Sequence, residues 1–432
     1  MARRTAPADL LRAGALLLTV IVTAGCSGGR HPASPDTARR GVAEQAPSPS
    51  GPGPVIPAPQ PTAVQRADVD AQIAAMPLDR EVGQVFMTYT YGRTATDDDA
   101  TSVAANETLS GVRDGAELIS RYHVGGLLLL DTNPLDNRQP TVETGTTDPN
   151  VTAGYTASMQ AAAAAAGDPP LLIGVDQEGG TVQRLSKPFP RFPEQALLGR
   201  QSDGVSLAQA QGTHLGQQLL PLGVDINFAP VADVLTNPAD SAIGTRAFGT
   251  TASVVSPRVA AEVRGLGGAG VAATLKHFPG HGSTGVDSHI GLPVVTRSLA
   301  ELQATDLPPF QAGIDAGAPL VMLGHLLVPA IDPNLPASLS SATVHLLRDQ
   351  LHFDGVIVTD GLFMGALFGY GSPDQIAVQA LRAGVDLLLQ PRSLATSVPA
   401  VEVAVRSGAL PKSRIDDAVR HLLLLKQRLA AD

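Results

Sequence analysis

Between residues 81 and 391 the chain repeats one pattern. A run of mainly apolar residues is followed by a polar break and then by a segment with helical character. Eight apolar runs read as strands: 81–91 (EVGQVFMTYTY), 124–133, 171–180, 224–234, 271–281, 320–329, 353–362 and 384–391. Most are continuous rather than alternating, as expected for parallel strands covered by helices on the outside. Ala-rich stretches such as 156–166 (TASMQAAAAAA) and 255–270 supply the intervening helices. Eight strands alternating with helices predict an α/β fold, a (β/α)8 TIM barrel forming a single catalytic domain. A doubly wound open sheet is the alternative that strand counting leaves open.

Polar residues gather at the trailing ends of these runs: Asp176 with Glu178, Asp233, Lys276 with His277, His325 and Asp360. In a barrel, those ends converge on the C-terminal face, where active sites form. Two longer polar segments, about 91–115 and 132–152, follow the first two strands and are expected as loops on the same face.

The N-terminus has a different pattern. Residues 1–26 carry Arg3, Arg4 and Arg12, then the apolar run AGALLLTVIV, and end in TAGC at Cys26. This reads as a secretory signal whose apolar run is too short to span a membrane. The ending resembles a bacterial lipobox, which would make Cys26 the lipidated first residue of an exported lipoprotein on the outer face of the cytoplasmic membrane. A plain secretory signal is the alternative. Cys26 is the single cysteine of the chain, so no intrachain disulfide is available. Residues 27–64 hold nine of the 35 prolines among Ser, Gly and Ala, and read as an extended tether. The folded domain is expected over 65–432.

Composition narrows the partners. The 432 residues are 44% hydrophobic and 16% charged, with a net charge of −10. No basic run or aromatic-basic interleaving points to nucleic acid. A monomer is expected. Trp is absent and aromatics make up 3%, so packing is expected to rest on Ala, Val, Leu and Ile.

The chemistry concentrates in 276–289, KHFPGHGSTGVDSH, which holds three of the ten histidines. Asp287 and His289 are two apart on a glycine-rich loop, which would place both on one side of an extended segment. The carboxylate can then orient the imidazole and leave its other nitrogen for proton transfer. Asp360, at the end of an apolar strand, suits a nucleophile or a general base. Lys276 and His277 are fixed at a strand end and suit substrate hydroxyls; Asp176, Arg184 and Arg246 are candidates for the same task. A rival reading makes His277, His281, Asp287 and His289, with Asp176 or Asp360, ligands of a divalent metal. Against it stand the absence of an H-x-H or HExxH element and the cationic Lys276 beside His277.

The stretches VDQEGGTVQRL (175–185), IGTRAFG (243–249), KHFPGHGSTGVDSH and VIVTDGLFMGAL (356–367) resemble glycoside hydrolase family 3, specifically its single-domain NagZ-type β-N-acetylglucosaminidases. The closing LPKSRIDDAVRHLLLLK (410–426) resembles that family's C-terminal helix. The resemblance implies that Asp360 is the nucleophile of a retaining mechanism and that His289, paired with Asp287, is the general acid/base. Asp176, Arg184, Arg246, Lys276 and His277 would bind the sugar of the terminal subsite. The implied substrate is a terminal β-linked N-acetylglucosamine, in cell-wall muropeptide fragments, with no metal or organic cofactor. Phosphorolysis in place of hydrolysis, or a β-glucosidase activity, are alternatives within the enzyme class, and a sugar-binding lipoprotein is the alternative outside it. One departure is Gly361, where relatives carry an acidic or small polar residue after the nucleophile; a small change in loop stiffness is expected from it. The long 91–115 segment leaves the outer subsites open.

Overall fold

A computed structural model describes residues 61–130, 148–185, 189–239 and 241–431. The signal, Cys26 and nearly all of the tether lie outside the described residues, as does most of the 132–152 loop.

Each of the eight expected apolar runs contains a strand. These are β1 (Phe86–Thr88), β2 (Gly126–Leu129), β3 (Leu172–Val175), β4 (Ile226–Asn227), β5 (Ala272–Phe278), β6 (Leu320–Leu323), β7 (Val356–Thr359) and β8 (Leu388–Leu389). All neighbours are parallel and follow chain order, with β8 returning to pair with β1 through Phe86↔Leu388. The ring is completed between β7 and β8 by the Val358↔Leu387 bridge and by Thr359 N donating to Leu387 O at 3.0 Å. The architecture is therefore a barrel and not an open sheet, as β8 is held on both sides.

The first run needs a correction. Residues 81–84 belong to a helix, Leu78–Gln84, and only 86–88 form the strand. Pro77 precedes the helix, and Asp79 and Glu81 lie in its first turn, where negative charge suits the helix dipole. The polar segment 91–115 is likewise more ordered than expected. It contains a helix, Ala100–Ser110, capped by the Asp99 side chain.

The outer layer follows the amphipathic pattern of the sequence. Helix α1 (Ala63–Ala75) starts two residues before the expected domain boundary, with a capping box in which Thr62 and Gln65 exchange hydrogen bonds. Helices α2 (Gly204–Leu219) and α3 (Ala252–Gly268) pack against each other, and α4 (Lys412–Ala431) packs on α1. The buried face of α4 is Ile415, Val419, Leu422 and Leu423. The core is mainly Leu, Val and Ile, but Phe86, Phe228, Phe248, Phe278 and Phe310 are also fully buried. Tyr155 is buried as deeply, and Phe278 and Phe310 meet edge to face at 5.1 Å, so the few aromatics still anchor the interior.

The end of the barrel away from the polar cluster is fastened by one carboxylate. Asp386, just before β8, is fully buried. It accepts from Arg348 Nη2 at 2.7 Å, Arg414 Nη2 at 2.6 Å and the Ile357 amide at 2.9 Å. Burial alone would raise its pKa, but His421, Arg348 and Arg414 hold it well below the usual carboxylate range. Asp386→Ala would leave two guanidinium groups without their shared anion. A loss of about 3 kcal/mol in denaturant unfolding is expected; a loss under about 1 kcal/mol would show that solvent substitutes for the carboxylate.

Candidate active site

The polar strand ends meet at one mouth of the barrel. Asp176 follows β3, and a two-stranded hairpin (Gln177–Gly179 with Val182–Gln183) then carries Glu178 and leads to Arg184. Arg246 ends a short turn, Gly244–Arg246, after β4. Lys276 and His277 lie near the end of β5, and Asp360 directly follows β7. The loop after β5 brings Asp287 and His289. Asp176, Arg184, Arg246, Lys276, His277, Asp287, His289 and Asp360 all line one pocket.

Charge in the pocket floor is balanced by neighbouring groups. Lys276 Nζ lies 2.7 Å from Asp176 Oδ1 and 2.6 Å from Glu178 Oε1. Arg246 grips the same Glu178 with two bonds, Nε to Oε2 at 2.9 Å and Nη2 to Oε1 at 2.7 Å. Burial alone would make Glu178 a weaker acid, yet Arg246 and Lys276 outweigh it and hold its pKa near 2. For Lys276, burial works against the charge, but the Asp176 and Glu178 carboxylates more than offset it and raise its pKa. Glu178, Lys276 and Arg246 are therefore charged at neutral pH.

A second buried carboxylate, Asp233, organises the histidines. Its Oδ2 accepts from His277 Nδ1 at 2.7 Å, and its Oδ1 accepts from the His281 amide at 2.7 Å. That contact fixes His277 with Nδ1 protonated and Nε2 turned towards Arg246, 3.4 Å away. It also pins the start of the glycine-rich loop to the barrel. The Lys276–His277 peptide bond is cis.

Asp360 is ionised. Burial would raise its pKa, but His277, His325 and the Gly361 amide bring it down to about 2. The Gly361 N–H donates to Asp360 Oδ1 at 2.8 Å. Buried His325 supports that turn from behind, with Nε2 2.9 Å from the Gly361 carbonyl and Nδ1 2.7 Å from Ser338 Oγ. The small residue at 361 has a steric reason: a Cβ there would lie 2.6 Å from the Phe363 ring. Gly361 thus answers to a close approach.

Asp287 and His289 pair as the spacing suggests, through a different local geometry. They form a turn, not an extended segment. Asp287 Oδ1 accepts from both the His289 amide at 2.9 Å and His289 Nδ1 at 2.8 Å. The Asp287 carbonyl accepts from the amides of Ile290 and Gly291, each at 3.0 Å. A short carboxylate that closes its own backbone turn explains the difference. Burial raises the Asp287 pKa, but the bonds from His289 outweigh it and keep the carboxyl below its usual value. With Nδ1 donating to a carboxylate, Nε2 is the nitrogen left for chemistry.

Comparison with known proteins then decides the family. Residues 78–425 match the model described as "Glycosyl hydrolase family 3 N terminal domain". The chain belongs to glycoside hydrolase family 3. A β-hexosaminidase of Nitrosomonas eutropha is 42% identical over 51% of this chain and 65% of its own. The β-hexosaminidase LpqI of Mycobacterium tuberculosis is 36% identical over 73% of this chain and 80% of its own. Among solved structures, a family 3 β-N-acetylglucosaminidase from Paenibacillus sp. superposes with a TM-score of 0.73 at 38% identity, over 83% of this chain and 63% of that one. The chain thus spans just under two thirds of the Nitrosomonas and Paenibacillus relatives.

Within this family 3 domain, the sequence located Glu178, Asp233 and His325 at strand ends but gave them no role. Their partners lie far away in sequence, 68 residues for Glu178 with Arg246 and 44 for Asp233 with His277. Glu178 has a usable signal nonetheless, as it stands two residues from Asp176 on an extended segment. Phe363 and Gln390 also line the pocket and carry no sequence signal that we identify. For the metal reading, His277 Nδ1 is taken by Asp233 and His281 Nδ1 by Thr284 Oγ1 at 2.7 Å. Among the described residues, no group of three or more His, Cys, Asp or Glu side chains is arranged to hold a metal ion.

Glu178 should contribute to acid sensitivity alongside Asp360 and Asp386, whose pKa values are also held down. Its folded pKa near 2 lies below the ordinary 4.5. Its stabilisation is therefore complete above about pH 4.5 and is lost as pH falls towards 2. Glu178→Gln is expected to lower the melting temperature at pH 7 and to flatten the melting curve between pH 4.5 and 2. An unchanged slope in that interval would show that Glu178 is not held ionised by its two cations.

Proposed function

We propose that this family 3 domain is a retaining exo-β-N-acetylglucosaminidase acting on terminal, non-reducing β-linked N-acetylglucosamine. The observation that carries the reading is the pairing, in one pocket, of an ionised Asp360 with the His289–Asp287 dyad. The names of the relatives, β-hexosaminidase and β-N-acetylglucosaminidase, support the choice of sugar.

The proposed chemistry runs in two balanced steps. Asp360 attacks the anomeric carbon as the bond to the glycosidic oxygen breaks, and His289 Nε2 gives its proton to that oxygen. The sugar is then held as an ester on Asp360. In the second step, neutral His289 takes a proton from water, whose oxygen attacks the same carbon and releases the carboxylate. Asp287 keeps the imidazole oriented and stabilises its charged form. An imidazole in place of a second carboxylate avoids repelling Asp360. Asp176, Lys276, Arg246, His277 and Arg184 offer the fixed charged donors and acceptors that sugar hydroxyls require.

The same proposal extends to location. The N-terminal signal and TAGC support an exported lipoprotein anchored through Cys26, acting as a monomer on cell-wall muropeptide fragments. Among the described residues, no helix is long and apolar enough to cross a membrane.

Asp360→Ala is expected to reduce turnover of an aryl β-N-acetylglucosaminide to background, and His289→Ala to cut it by about 10²–10⁴-fold. An Asp360→Ala protein with wild-type turnover would remove the assignment. Assays with and without phosphate separate the outcomes: a sugar 1-phosphate product would make the enzyme a phosphorylase. A preference for the β-glucoside would replace the acetamido sugar in the proposal.

A further inference from the structure

The acid/base loop is held by a contact that the chemistry just described does not use. Directly after the nucleophile segment, the chain makes a short 3-10 turn, Gly365–Leu367. Its first amides have no partner inside the turn. The Gly365 amide donates to the His289 carbonyl at 3.1 Å, and the Ala366 amide donates to the Ser288 carbonyl at 3.1 Å. The two loop residues thus gripped lie either side of the His289 imidazole's own peptide. Nearby, the His289 ring lies 6.3 Å from that of Phe363, on the same post-nucleophile segment.

The approach is close enough to demand glycine. A Cβ on Gly365 would lie 2.8 Å from the His289 carbonyl oxygen and 2.8 Å from that of Ile290. Both are backbone atoms of a closed turn, so no flexible side-chain end can move aside. The loop itself must shift. Ile290, next to the imidazole, is 83% exposed, so burial of its side chain does little to hold the loop in place. On the far side of the imidazole Ser288 is buried, and the backbone contact with 365–366 works beside that burial to position the loop.

We propose that Gly365 is a positioning residue that sets the spacing between the acid/base His289 and the nucleophile Asp360. It does so by clasping the Ser288–Ile290 backbone to the segment that begins with the nucleophile. This inference rests on the assignment of His289 and Asp360 given under the proposed function. A methyl group at 365 would displace the proton donor while leaving Asp360 and its bonds to Gly361 in place.

The test uses the purified full-length chain and two aryl β-N-acetylglucosaminides, one with a dinitrophenyl leaving group and one with a methylphenyl group. The first leaves without a proton; the second needs one. Gly365→Ala is expected to lower kcat/KM by about 10–100-fold on the methylphenyl substrate and by less than about threefold on the dinitrophenyl one. An equal fall on both, or no fall on either, overturns the clasp. His289→Ala serves as the reference and should show the same asymmetry, but larger. If it loses equally on both substrates, the acid/base reading falls, and the clasp with it. Should Gly365→Ala fail to fold, amide exchange in the wild-type protein decides. Slow exchange at both Gly365 and Ala366 supports the clasp, and exchange at the rate of free amides overturns it.

Discussion

Glu178 is fully buried between Lys276 and Arg246 and bonds to both. Two cations placed at the bottom of a narrow pocket would repel each other and would be costly to remove from water. One bidentate carboxylate offsets both effects at once. It also fixes the direction of each donor, because the guanidinium is gripped by two bonds and the ammonium by Glu178 and Asp176 together. The floor of the pocket is thus rigid and close to neutral. Asp360, beside it, needs only the imidazoles and one amide to stay ionised.

The site divides into two halves with different mechanical support. The floor belongs to the barrel: Lys276 and His277 are on β5, and Asp233 locks His277 from behind. The half that carries the proposed proton donor belongs to one loop. Asp233 ties its beginning through the His281 amide, and its far end is tied by Val295 N to Leu327 O at 2.8 Å. Between those anchors, Asp287 builds a local turn, and the 365–366 segment meets it. In the proposed reaction, substrate binding and proton delivery would therefore rest on separate sets of contacts.

This division also explains what could be read from the sequence. The barrel was legible because strands covered on both faces must be continuously apolar, and eight such runs are hard to arrange otherwise. The misread stretch, 81–84, is where Val82 and Gly83 extend an apolar run that lies in a short helix entered through Pro77, with Asp79 in its first turn. The site residues were legible where polar groups interrupt apolar strand ends, as at Lys276, His277 and Asp360. The turn at Asp287 was not, because the i, i+2 spacing fits both an extended pair and an Asx-type turn. Nor was the pairing of Glu178 with Arg246, which depends on tertiary distance, or the reason for Gly361 and Gly365, which is the shape of their neighbours.

The His289 side chain remains 59% exposed, while Lys276 and Glu178 beneath it are almost wholly buried. In the proposed reaction this places the proton store outside the protein. No internal relay of side chains is needed to recharge the imidazole between cycles, since bulk water reaches it directly. The nucleophile, by contrast, keeps its charge through neighbours that solvent hardly touches. The two halves of the proposed catalytic pair thus meet different media: water reaches the donor from the mouth of the barrel, and protein encloses the nucleophile.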